Sequence, residues 1–182
     1  MTPFVEVMNA VRETFIARDL AAATGQAGLT IRFARNRYAT NKERPALSIA
    51  FVEDGPTDNA QNLALGEKQR TLSLDLIVDL EVEEEAGAEA ALEAGQDPAT
   101  FDPTGLGELS AVLVEAVSML QRAWRGDVNM ADYPIAAYAD WIEEIGIDDD
   151  EDLADIDGRL VARVNVLYRV HAEDPKMLLR RN

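Results

Sequence analysis

The chain has 182 residues with 34 acidic and 17 basic side chains, a formal charge of −17, and no cysteine. That length fits one domain able to bury a substantial core, and an apolar share of 47% argues against disorder along the whole chain. Disulfides and thiolate metal sites are excluded, no run of about 18 apolar residues is present to span a membrane, and the acidic balance disfavours wrapping nucleic acid, where affinity comes mainly from cations on phosphates.

Met1-Thr2-Pro3-Phe4 has no basic region followed by an apolar block, so no secretory signal is expected, and the lack of cysteine suits intracellular synthesis. The first predicted element is an amphipathic helix from Pro3 to Leu20. Thr2 is its expected cap, Pro3 suits its first position, and Glu6 sits in the favourable first turn. Phe4, Val7, Met8, Val11 and Phe15 recur at helical spacing and read as core. A strand is expected from Leu29 to Tyr38, a polar tip from Asn36 to Arg44, and a second strand from Ala46 to Val52. Two strands joined by a polar connection predict a hairpin, with a connection longer than the commonest types. Arg32, Arg35, Arg37, Lys42 and Arg44 gather positive charge there. They read either as protection of an edge strand or as a patch that meets an acidic surface on a neighbouring copy.

Asp54-Gly55-Pro56 and Asp58-Asn59 mark a loop over Glu53 to Gly66. Arg70 to Val82 is the clearest long strand, with Leu72, Leu74, Leu76, Val78, Leu80 and Val82 on one face. At about 3.3 Å per residue it reaches roughly 40 Å, which implies an overhang or a strong twist. Glu83 to Gly105 breaks the pattern as a long acidic insertion, with room for a short helix over Glu84 to Glu93. Leu106 to Trp124 is a second amphipathic helix on Leu106, Leu109, Leu113, Val117, Leu120 and Trp124, rising about 28 Å. Ile135 to Ile147 reads as a strand alternating at Ala139, Trp141, Ile145 and Ile147, with helix an alternative for Ile135 to Glu144. Asp148 to Gly158 is an acidic loop. In Arg159 to Val170, Leu160, Ala162, Val164, Val166, Tyr168 and Val170 alternate with Arg159, Arg163, Asn165 and Arg169, which fixes the register of a half-buried strand. Ala172 to Asn182 is expected to leave the sheet as a tail turned at Asp174-Pro175.

No catalytic motif stands out. His171 is the sole histidine, and no Gly-x-Ser-x-Gly elbow exists to supply a nucleophile. An EF-hand loop starting at Asp148 needs glycine where Leu153 stands and glutamate where Arg159 stands. No glycine loop for phosphate and no G-x-G-x-x-G is present, and Glu143-Glu144 and Glu83-Glu84-Glu85 read as solvated acid runs. No enzyme, metal or cofactor is therefore expected. Charge is segregated instead: residues 81–157 hold 22 acids and 2 bases, and residues 158–182 hold 6 bases and 2 acids.

In element order and in a few short strings the chain resembles the tail terminator, or tail completion, proteins of long-tailed bacteriophages. The strings are Pro45-Ala46-Leu47-Ser48-Ile49, the strand Arg70 to Val82, the helix before Trp124, the segment around Trp141, and Val164-Asn165-Val166-Leu167-Tyr168-Arg169-Val170 running into Glu173-Asp174-Pro175. The resemblance implies a single α+β domain over residues 1–182, a mostly antiparallel twisted sheet of four to five strands with two main helices packed on one face. It further implies a homohexameric virion ring, made in the host cytoplasm, that caps the tail tube, stops its polymerisation and joins it to the head-tail connector. The implied partners are the tube protein and the neck proteins, with DNA only passing through the channel and no membrane contact. On that expectation Arg32, Arg35, Arg37, Lys42 and Arg44 form a subunit interface. Glu83, Glu84, Glu85, Asp148, Asp149, Asp150, Glu151 and Asp152 line the lumen or the rim. Another neck or head-closure ring subunit, and an acidic regulatory protein that mimics DNA, are the alternatives.

Overall fold

A computed structural model describes residues 2–34, 43–57, 66–80, 106–125, 128–148 and 159–181. The fold is α+β: a five-stranded mixed sheet in the order β1-β2-β3-β5-β4, with helices against one face. Helix α1 (Pro3–Ala17) buries Val7, Val11 and Phe15, the stripe its spacing requires. The Thr2 side chain makes no cap; the Thr2 carbonyl accepts from the Val5 and Glu6 amides instead. The helix also stops short of Leu20. Asp19 takes a left-handed conformation (φ 47°), which aspartate tolerates, and its side chain accepts from the Ala22 amide to start α2 (Leu20–Thr24). The break sends Leu20 into the core, and Gly25 at φ 71° ends α2.

The expected hairpin is not formed. Strand β1 (Thr30–Phe33) runs parallel to β2 (Ala46–Pro56), with Thr30 level with Ala46 and Phe33 level with Ile49. The connection between them spans residues 34–45, long enough for the crossover that parallel neighbours need. Strand β2 also continues through Asp54-Gly55-Pro56, expected to be loop, past a bulge between Phe51 and Glu53. The remainder of that loop, residues 58–65, lies outside the described residues.

Strands β3 (Glu67–Asp79) and β5 (Arg159–His171) pair antiparallel along their whole length, Glu67 opposite His171 and Asp79 opposite Arg159. No overhang results, because β2 and β5 flank β3 on both sides. Leu72, Leu74, Leu76 and Val78 of β3 and Leu160, Ala162, Val164, Val166, Tyr168 and Val170 of β5 point into the core. Helix α3 (Leu106–Trp124) lies across β3, β5 and β4, and buries Leu109, Val112, Leu113, Ala116, Leu120 and Ala123. Helix α1 covers β1 and β2 and touches α3, so the core is one layer between helices and sheet. Thr14 ties α1 to the rest: its Oγ1 donates to the Ala10 carbonyl and accepts from the Ile135 amide at 3.1 Å.

The segment expected as a strand from Ile135 begins with a 3-10 turn, Pro134–Ala137, and only then enters β4 (Ala139–Asp148). Two bulges, at Asp140 and Ile145, break the expected alternation. Ala139 and Ile142 are buried, whereas Trp141 and Ile145 are exposed. The C-terminal segment does not leave the sheet. It turns at Asp174, and the Met177 carbonyl and Leu179 amide then bond to His171 and Arg169 of β5. The Arg181 amide bonds to the Ala137 carbonyl, which places the tail in line with the start of β4. The insertion over residues 83–105, its expected helix at 84–93, and the loop 149–158 lie outside the described residues.

Candidate interaction surfaces

On the sheet face away from the helices, the arginines of β5 are matched to acids of β3 and β4. Arg159 Nε lies 2.5 Å from Asp79 Oδ1, Arg163 bridges both Asp75 oxygens at 2.8 and 3.1 Å, and Arg169 reaches Glu67 at 3.0 Å and Asp140 at 2.9 Å. Between them Ser73 Oγ donates to Asn165 Oδ1 at 2.7 Å. Burial works against the Arg169 charge, but Glu67 and Asp140 outweigh it and raise its pKa. The positive excess of the last 25 residues is therefore largely consumed within the fold: Arg180 lies over Tyr138, and Arg181 donates to the Trp124 carbonyl.

A second polar cluster sits at the helix-covered face, at the far end of β2 and β3. Arg70 grips both Asp54 oxygens, and the Tyr168 hydroxyl donates to Asp54 Oδ1 at 2.9 Å. The hydrogen bond to Asp54 raises the Arg70 pKa, and burial with the nearby Asp54 carboxylate raises that of Tyr168. Every group here is satisfied by another, so the cluster is a strut and presents no open chemistry.

Of the predicted basic patch, Arg32 lies on β1 and is spent internally. Its Nε donates to Ser48 Oγ at 2.9 Å, its Nη1 lies 3.3 Å from Glu43, and its side chain is 17% exposed. Arg44 lies two residues before β2, and its buried Nε makes no hydrogen bond. Arg35, Arg37 and Lys42 lie outside the described residues. Of the predicted acidic residues, Asp148 is the last residue of β4; Glu83, Glu84, Glu85, Asp149, Asp150, Glu151 and Asp152 lie outside the described residues. Both acidic runs attach at one end of the sheet, beyond Leu80 and beyond Asp148, with Arg159 beside them in register.

What sequence reading missed is the place of β4 at the edge of the sheet. The surface of β4 carries Trp141, Glu143, Glu144 and Ile145, all exposed, with the Trp141 ring 4.1 Å from that of Trp124 at the end of α3. Glu143 and Glu144 were expected to be merely solvated; they stand on a sheet edge. The signal available was the acid pair within Trp141-Ile142-Glu143-Glu144-Ile145, since charged side chains are one of the devices that protect an edge strand. Arg32 and the acids Glu143 and Glu144 thus lie on the two opposite edge strands of one sheet, β1 and β4. Among the described residues no group of His, Asp and Glu is placed to hold a metal ion, and no helix is long and apolar enough to cross a membrane. No family model matches the sequence, and no curated protein matches it.

Proposed function

We propose that this chain is a structural subunit of a phage tail, a terminator that closes head to tail into a ring on the finished tube. One observation carries the reading: the opposite edge strand to β1, β4, exposes Glu143 and Glu144, whereas residues 32–44, which follow from β1 in sequence, hold five bases against one acid. A head-to-tail contact joins two different patches of the same chain, which such a division suits. The resemblance in element order supplies the rest: a ring of about six copies, stopping addition of tube subunits and presenting its other side to the neck. An acidic lining, one of the two places the resemblance allows for the acid runs, would let DNA pass because phosphates meet carboxylates.

Light scattering on the purified chain, alone and with tail tubes, tests this. The expected result is a particle of about six subunits of 20.0 kDa that caps tube ends and halts their growth. A monomer that leaves tubes growing overturns the reading.

A further inference from the structure

Among the described residues, no strand pairs with the outer side of β1 or of β4, and the backbone of β4 makes no hydrogen bond beyond its ladder with β5. On β1, Thr30 and Ala34 bond to Pro45 and Ile49 on the β2 side, so Ile31 faces away, and its carbonyl receives only a 3.4 Å contact from Arg12 Nε.

We propose that β4 of one subunit pairs, main chain to main chain, with β1 of the next, so that the sheet continues from copy to copy; this deepens the ring reading and rests on it. Three features select that partner. The bulges at Asp140 and Ile145 leave Trp141 to Glu144 as a regular run, equal in length to the four residues of β1. Pairing of β4 with another β4 sets Glu143 and Glu144 beside their own copies, a like-charge contact that destabilises a sheet. β1 carries no acid to repel Glu143 and Glu144, its Arg32 being paired with Glu43 in its own subunit, and it follows the direction of β2. Across a continued sheet it therefore meets β4 antiparallel, the more stable arrangement. Exposed Trp141 (45%) and Ile145 (54%) are then covered by the neighbour.

The absence of native cysteine makes trapping clean. Adjacent strands bring facing Cα atoms within disulfide reach, about 4.5–5.5 Å. Ile31 and Phe33 share the helix side with Ile142 and Glu144, so matching the faces sets Thr30, which is exposed, opposite Glu143 or Ile145, with Glu144 the neighbour one step off. Thr30→Cys is therefore combined in turn with Glu143→Cys, Glu144→Cys and Ile145→Cys, which reads the register. Oxidation is expected to give a ladder of covalent multimers from at least one double variant and only monomer from each single variant. The absence of a ladder from all three overturns the proposal, as does a covalent dimer from Glu144→Cys alone, which reports β4–β4 pairing. A ladder without capping of tail tubes keeps the edge contact and rejects the terminator. Capping by a ring without a ladder does the reverse.

Discussion

Arg159 and Asp79 form the most deeply buried ion pair described, with side chains 3% and 0% exposed. Two desolvated charges gain little net stability from one another, but either alone is costly. Asp79→Ala is therefore expected to lower unfolding free energy by about 3–5 kcal/mol, read from urea melts. The double change Asp79→Leu with Arg159→Met is expected to recover most of that loss, since an apolar pair leaves no orphan charge. Arg163 is half exposed, so Arg163→Ala is expected to cost less than about 1 kcal/mol. Tyr168 behaves differently because its proton is at stake. Burial and the Asp54 carboxylate raise its pKa above the ordinary 10.0, so the folded chain holds the proton more tightly than the unfolded one. That contribution is complete below about pH 10 and fades as pH rises past it, because only the unfolded chain then gains by ionising. Tyr168→Phe is expected to cost about 1–3 kcal/mol at neutral pH through the lost bond to Asp54, with the gap to the parent chain narrowing in urea melts between pH 9 and 11.

Between elements, the largest contact is the full-length β3–β5 pair under α3. Leu74 and Val164 face each other on the core side, both fully buried. Leu74→Ala is expected to cost about 2–5 kcal/mol, and Val114→Ala, on the exposed side of α3, under about 0.5 kcal/mol, both checked by thermal or urea unfolding. Thr14→Val keeps the shape of α1 but orphans the Ile135 amide at the entry to β4, for about 1–3 kcal/mol. The parallel β1–β2 pair belongs to this scale too. Leu47 and Ile49 mark β2 as a buried strand, yet nothing in their alternation states the direction of its neighbour.

For the whole molecule, charge decides the behaviour. A ring held by opposite charges on opposite edges loses attraction as salt shortens the screening length from about 8 Å at 0.15 M to about 3 Å at 1 M. Sedimentation velocity across that range is expected to show fewer closed rings at high salt. Reversing Arg35, Arg37 and Arg44 together is expected to weaken closure at 0.15 M by the same measure, and unchanged assembly removes that segment from the interface. Changing Arg163 and Asp75 to alanine together leaves assembly as it was, because that pair is satisfied within one subunit.

The alternating run from Leu160 to Val170 is sufficient to define β5 and its buried face. A period-two pattern has only two phases, and one of them places arginines in the core. The stripes of α1 and α3 and the long apolar face of β3 are legible for the same reason, since burial periodicity is a local property of the chain. Tertiary structure alone decided the parallel pairing of β1, the return of the tail onto β5, and the bulges that turn Trp141 and Ile145 outward. Each depends on which backbone partner lies alongside, and hydrogen bonds between strands carry no residue code. It also decided the fate of the arginines. Arg32, Arg159 and Arg169 look alike as isolated cations, and only the carboxylates that folding brings against them from other segments show that their charge is used inside the fold.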